Sequence, residues 1–336
     1  MSTLLDTRAR PLHDLRISVT DRCNFRCTYC MPKEIFGKAH AFMPPEQLLS
    51  FDEIERLTGA FVALGVRKVR LTGGEPLMRK GLDELIARLA AIPGVEDVAL
   101  TSNGSFPVER VAALKAAGLS RMTVSLDALD DATFKAMNDV DFPVARVLEW
   151  IEASAAAGLA PIKVNMVVKR GVNEHAILPM AHYFRQRGHI LRLIEYMDVG
   201  HSNGWRLDDV ITAKQMVALI QRELPLEPLQ PNYRGEVATR YRYADGQGEL
   251  GLIASVSQPF CGDCSRARIS ADGRLFTCLF AVGGADLRSL LRRGADAAAL
   301  QEAIAAVWRQ REDRYSELRS ANTVALPKVE MSYIGG

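Results

Sequence analysis

No stretch of the 336-residue chain is long and apolar enough to span a bilayer, and residues 1–16 lack the apolar centre of a secretory leader. A transmembrane anchor is therefore not expected, and the cytoplasm is the expected address. Net charge is scarce too. The 42 basic and 40 acidic residues leave +2, too little for the footprint of a dedicated nucleic-acid binder. No Gly-x4-Gly-Lys-Ser/Thr loop occurs, which argues against a hydrolytic P-loop and makes any bound nucleotide a substrate rather than an energy source. Cysteine is missing everywhere except in two tight groups, Cys23, Cys27, Cys30 and Cys261, Cys264, Cys278. Three plus three would leave an odd thiol in each group, so metal ligation is a better reading than disulfides.

With 48% hydrophobic residues, the chain can bury a large core. Its first part alternates short β-branched runs with longer amphipathic ones, the pattern of repeated βα units. Strands are expected at 15–20, 68–72, 97–101, 121–126, 162–168 and 190–195, with helical segments at 45–64, 81–91, 107–117, 143–157 and 178–186. Six such units fit a partial (β/α)6 TIM-type barrel at least as well as an open doubly wound sheet, and both put chemistry at the carboxyl ends of the strands. The pattern changes at 198–205, and a proline-rich stretch runs from 223 to 235. Residues 1–200 are thus expected to form the barrel and 201–336 an α+β extension. Strands are expected there near 238–243 and 251–255, with a helical stretch at 295–319. The charged run 309–314 reads as a solvated helix face.

The first cysteine group, C-x3-C-x2-C, follows the first expected strand, at the catalytic face of a barrel. Three thiolates can hold three irons of a [4Fe–4S] cube and leave the fourth open to S-adenosylmethionine (SAM), whereas electron-transfer clusters use four cysteines. Zinc is the alternative, but structural zinc takes four protein ligands and no histidine follows Cys30 at knuckle spacing. Gly73-Gly74-Glu75-Pro76 ends the second strand, where glycines allow close backbone approach. Polar residues also end the third, fourth and sixth strands at 101–104, 125–127 and 195–197.

The second group, C-x2-C-x13-C, begins like half a zinc ribbon whose second half is missing, and the last histidine is His201. A second three-thiolate cluster is favoured, with zinc as the alternative. Arg266 and Arg268 would share one face of a strand. Lys163 and Arg192 lie inside apolar strands, where an unpaired charge is costly, so an anionic partner such as a polyphosphate is expected.

The cysteine loop with Tyr29 before its last cysteine, together with Gly-Gly-Glu-Pro, resembles the radical SAM superfamily signature. Over nearly the whole chain these motifs, Asn165 to Asn173, Ile194-Glu-Tyr-Met-Asp198, Pro259-Phe-Cys-Gly-Asp-Cys264 and the terminal Gly-Gly resemble the GTP 3',8-cyclase family of molybdenum cofactor biosynthesis. The resemblance implies two [4Fe–4S] clusters and SAM contacts at Tyr29, Gly74, Ser125 and Met197. It implies GTP contacts at Arg16, Arg70, Thr101, Lys163, Arg266, Ala267 and Arg268, with Lys68 and Arg192 near the triphosphate. A SAM-derived deoxyadenosyl radical would take the ribose 3' hydrogen, and C3' would then add to guanine C8, giving 3',8-cyclo-7,8-dihydro-GTP after reduction. Arg268, Gly335 and Gly336 become candidates for catalysis. Partners implied are GTP, a downstream cyclic pyranopterin monophosphate synthase and a flavodoxin or ferredoxin, with a homodimer as the default assembly. Ser265 stands where the family commonly has asparagine. Other readings are a peptide-modifying radical SAM maturase, and an iron–sulfur sensor or zinc module that binds nucleic acid.

Overall fold

The computed structural model describes residues 4–159, 161–320, 324 and 326–336. Six parallel strands come in sequence order: β1 (Asp14–Ser18), β2 (Lys68–Thr72), β3 (Asp97–Ser102), β4 (Arg121–Ser125), β5 (Lys163–Val168) and β6 (Ile190–Glu195). Their connections carry helices α1 (Phe51–Ala63), α2 (Leu82–Ala90), α3 (Arg110–Ala116), α4 (Asp131–Asn138), α5 (Val144–Ala156) and α6 (Ile177–Gln186). Inward and outward residues alternate along each strand. The outward ones, such as Leu15, Ile17, Val69, Leu71, Met122, Val124, Val164 and Met166, pack with the helices into one core.

The expected helix at 45–64 begins only at Phe51. Ser50 caps it by accepting from the Glu53 amide, and Glu53 returns the bond to the Ser50 amide; this reciprocal box satisfies two amides that would otherwise lack partners. Helix α4 was not expected. Its apolar face consists of only Phe134 and Met137, too short a period to stand out, although Asp130 caps it by accepting from the Thr133 amide.

The extension proves continuous with the barrel. Its strands are β7 (Leu226–Leu229), β8 (Thr239–Tyr243), β9 (Glu249–Ile253), β10 (Arg266–Ile269), β11 (Arg274–Phe276) and β12 (Ala285–Asp286). Sheet order among the described residues is β12-β11-β10-β1-β2-β3-β4-β5-β6-β9-β8-β7. Strand β9 joins β6 and β10 joins β1, both in parallel, so eight parallel strands line the interior and antiparallel partners cover each edge.

Helices α7 (Ala213–Ile220), α8 (Arg288–Arg292), α9 (Ala297–Arg309) and α10 (Met331–Ile334) complete the chain. The helix expected to reach 319 ends at Arg309, and the run at 309–314 is not a solvated face. Arg311 is 4% exposed because it turns inward to the Cys264 carbonyl and Asp6. No helix of the described residues is long and apolar enough to cross a membrane.

Candidate active site

At the carboxyl ends of the strands, the loop after β1 carries Cys23, Cys27 and Cys30. It is stitched to the end of α4 by Arg26 N–H to Asn138 O (2.9 Å) and Thr28 N–H to Met137 O (3.0 Å). The Arg26 guanidinium donates to the carbonyls of Cys23, Phe25 and Phe36. Tyr29 O–H donates to Asp127 Oδ2 (2.8 Å), and Asp127 Oδ1 accepts the Val167 amide (2.9 Å). Asn173 braces the same place, donating to the carbonyls of Asp127 and Val167. Burial raises the Asp127 carboxyl to about 7 and the Glu75 carboxyl to about 7.

Glu75 works as a bracket. Its two oxygens accept from Leu77 N–H, Ser102 O–H and Asn103 N–H, tying the end of β2 to the end of β3. Beside it, a Cβ on Gly74 would lie 2.3 Å from the Arg22 carbonyl oxygen, so only glycine fits against the cysteine loop. Glu195 does the same at the end of β6, accepting from the Ala213, Val256 and Ser257 amides and the Ser257 hydroxyl.

The second trio sits at the amino end of β10. The fully buried Arg10 pairs with Asp6 (2.6 Å) and donates to the carbonyls of Cys261 and Asp313, both at 2.7 Å. Arg311 donates to the Cys264 carbonyl at 2.6 Å. Ser265 O–H donates to Asp14 Oδ2 (2.8 Å). Burial would raise the Cys264 thiol, but Arg266 and Arg311 outweigh it and bring the group down to about 6. Burial raises Cys23 and Cys278 to about 12, and Cys27 and Cys30 upward as well.

All six cysteines are free. Among the described residues, no three His, Cys, Asp or Glu side chains close on a single metal ion. Cys23 Sγ accepts the Phe25 amide (3.4 Å) and Cys278 Sγ the Phe280 amide (3.5 Å). An amide two residues on that donates to sulfur suits a cluster-bound thiolate, whose potential such bonds tune. The donor chemistry of each loop therefore fits an iron–sulfur group.

One cavity of about 340 Å³ joins the two trios. Lining it are all six cysteines, Tyr29, Gly74, Ser125, Met197, Arg16, Lys68, Arg70, Thr101, Lys163, Arg192, Arg266, Arg268 and Gly336. Ala267 instead faces the core. Gly335 presses on the barrel wall: its carbonyl accepts from Arg268, its φ is +75°, and a Cβ would lie 1.9 Å from Thr72 Oγ1. Fully buried Ile334 fixes this tail.

Arg16, Lys163 and Arg192 have no hydrogen bond or ion pair among the described residues, whereas Arg70 donates to Thr101 and Thr123. Burial, with Arg192, Arg121 and Arg70 nearby, lowers the Lys163 ammonium to about 7. Burial, reinforced by neighbouring arginines, lowers Arg70, Arg192 and Arg268 to about 10 and Arg16 well below its usual value. Unpaired buried cations facing one another destabilise the empty cavity, and an anion would relieve them.

Sequence reasoning missed Arg10, Asp6 and Arg311, which support the second loop, and Arg121 and Tyr233, which line the cavity. Tyr233 lies over Lys68 Nζ, 3.5 Å from the ring centre. A buried arginine such as Arg10 has no local signal, since its acceptors lie 251 and 303 residues away.

The barrel with a three-cysteine loop at its mouth is matched over residues 17–184 by the model of the radical SAM superfamily, and residues 189–317 by that of Molybdenum Cofactor Synthesis C. The chain is a radical SAM protein. Among solved structures, SuiB of Streptococcus suis bound to S-adenosylmethionine shares the fold, with a TM-score of 0.62 at 15% identity over 93% of this chain and 68% of that one. The GTP 3',8-cyclase of Acidothermus cellulolyticus is 53% identical, and that of Staphylococcus aureus 47%, each over 98% of both chains. The chain belongs to the GTP 3',8-cyclase family.

Proposed function

We infer that this protein catalyses the family's reaction: abstraction of the ribose 3' hydrogen of GTP, closure of C3' onto guanine C8, and reduction of the resulting radical by one electron and a proton, giving (8S)-3',8-cyclo-7,8-dihydroguanosine 5'-triphosphate, the first step of molybdenum cofactor biosynthesis. The observation that carries this reading is the single cavity bounded by two cysteine trios and floored by unpaired cations. A radical SAM protein takes SAM and a [4Fe–4S] cluster, which when bound supplies the electron for SAM cleavage. We assign that cluster to Cys23, Cys27 and Cys30, and a second one to Cys261, Cys264 and Cys278.

In this reading Gly74 offers its backbone to the SAM methionyl group, and Ser125 and Met197 flank the rest of the cofactor. Tyr29, held by Asp127, fixes the loop from the other side. Lys68, Arg70, Lys163 and Arg192 neutralise the triphosphate, while Arg16, Thr101, Arg266 and Arg268 orient the nucleoside. The Arg268–Gly335 bond holds the tail with Gly336 against the reacting sugar. Residues 1–200 then serve SAM, and 201–336 bring the second cluster and the tail. Flavodoxin or ferredoxin would supply electrons, and a cyclic pyranopterin monophosphate synthase would take the product.

The test is anaerobic incubation of reconstituted enzyme with SAM, dithionite and GTP, followed by mass analysis. Formation of 5'-deoxyadenosine together with a cyclised GTP product, with Cys278→Ala losing the product, supports the reading. SAM cleavage with GTP returned unchanged contradicts the substrate assignment.

A further inference from the structure

One hydrogen-bonded row across the barrel carries Arg268, Arg16 and Arg70 side by side, then Ala99, then Arg121. Side chains in one row of a parallel sheet share a face, and all four arginines line the cavity. Beside the small Ala99, the Arg70 guanidinium reaches to Thr101 and across to Thr123, toward Arg121. Arg121, the first residue of β4, is held in place: Nε donates to Asp97 Oδ1 at 3.0 Å, and Nη2 pairs with Oδ2. Its third nitrogen, Nη1, has no hydrogen-bond or ion-pair partner among the described residues. The result is an oriented guanidinium fork with a free donor edge.

Behind the row lies a second cavity of about 260 Å³, at the amino ends of β5 and β6 and beside β9, walled by Arg121, Lys163, Arg192, Asn232, Glu236 and Arg240. Arg121, Lys163, Arg192 and Glu236 line the main cavity as well, so these four side chains form the partition between the two spaces. Arg240 is occupied by Glu249 (2.8 and 3.2 Å). The Glu236 carboxylate accepts from the Asn232 amide and side chain, not from a cation. Lys163 and Arg192 therefore face this space without an anionic partner among the described residues.

A nucleotide whose sugar meets SAM must lie with its sugar toward the carboxyl ends of the strands, where the first cysteine loop sits. Its phosphate chain can then run toward the amino ends, where Arg121 opens β4 and Lys163 opens β5. We propose that Arg121 binds this terminal phosphate and, with Lys163 and Arg192, makes the site distinguish a nucleoside triphosphate from a diphosphate. Asp97, which pairs with two of the three guanidinium nitrogens, tempers the charge of Arg121. The inference rests on reading the cavity as a guanine nucleotide site.

The test is calorimetric titration of the anaerobically reconstituted enzyme with GTP and with GDP. The natural chain should prefer GTP by about tenfold or more, the scale of one charge-assisted phosphate contact. Arg121→Gln should lower GTP affinity to near the GDP value and leave GDP within about twofold. Asp97→Asn, which keeps the side-chain shape and frees Arg121, should widen the preference for GTP. An equal loss for both nucleotides in Arg121→Gln, or an unchanged or narrower preference in Asp97→Asn, overturns the role of Arg121. Equal affinity of the natural chain for both nucleotides overturns phosphate counting and leaves the GTP site standing. If neither nucleotide binds, the reading of the site fails and the inference falls with it.

Discussion

The two cysteine loops lie at opposite ends of one cavity and rest on different kinds of support. The first is held by near neighbours: the end of α4, the Arg26 guanidinium and the Tyr29–Asp127 bond all come from the same barrel half. The second is held by the two ends of the chain, with Arg10 before β1 and Arg311 after α9 grasping the carbonyls of Cys261 and Cys264 and sharing Asp6. Their electrostatics differ at one cysteine, since burial and Asp313 raise Cys278 of the second loop as burial raises those of the first. Glu75 adds to burial in raising Cys23, and Asp127 does so for Cys27, whereas Arg266 and Arg311 pull Cys264 down to about 6. A loop next to its own strand can be held locally; one added at the sheet's edge is held by whatever segments pack beneath it.

The largest way to break this contrast is Arg10→Met. It leaves Arg311, at 3.4 Å, as the cation beside Asp6 and frees the Cys261 and Asp313 carbonyls, and loss of one member of a buried pair costs about 3–5 kcal/mol. Chemical denaturation should show that loss, and the folded remainder should still cleave SAM while losing the cyclised product. Arg26→Met, which strands no carboxylate, should cost less, about 1–2 kcal/mol, and should weaken SAM cleavage first. Equal effects of both variants on both reactions would erase the contrast.

A smaller effect is expected from Gly74→Ala. Its Cβ would meet the Arg22 carbonyl at 2.3 Å, so the loop must shift, and SAM affinity should fall about 10–100-fold, the scale of 1–3 kcal/mol of backbone strain. GTP affinity measured without SAM should change little. A parallel loss of both would show the two ends of the cavity to be rigidly coupled.

Smallest is a pH effect at the floor. Burial and the neighbouring arginines lower the Lys163 ammonium to about 7, and a polyphosphate raises that value by favouring the ammonium, so binding above pH 7 takes up a proton. GTP affinity should fall by up to about tenfold per pH unit above 7, until the raised value is passed. Lys163→Arg, charged throughout, should flatten the profile. An unchanged profile would remove Lys163 from the phosphate site.

The same contrast explains what was legible in the sequence. The first loop could be read because its parts are contiguous: cysteine spacing, Tyr29 and Gly-Gly-Glu-Pro all follow their own strands. The role of Glu75 could not, since its acceptor geometry depends on Ser102 and Asn103 of the next strand. Six of the eight parallel strands showed in the βα rhythm. Strands β9 and β10 join the sheet from distant positions, and residue order says nothing of such edge pairing. Helix α7 carried a readable signal, the Thr212–Gln215 capping box. Arg121 was hidden because the arginine row exists only once register is known. The extension therefore completes the barrel instead of sitting beside it, and its outer edges carry the antiparallel partners.

In the proposed function each trio holds its own cluster and the two have different tasks. The most direct measurement is iron content, with Mössbauer spectra, of anaerobically reconstituted natural chain and of two triple variants, alanine at 23, 27 and 30 or at 261, 264 and 278. About eight irons are expected in the natural chain and about four in each variant, from two four-iron clusters, with SAM cleavage kept only in the second variant. Four irons in the natural chain, or zinc in place of iron at the second trio, would contradict it.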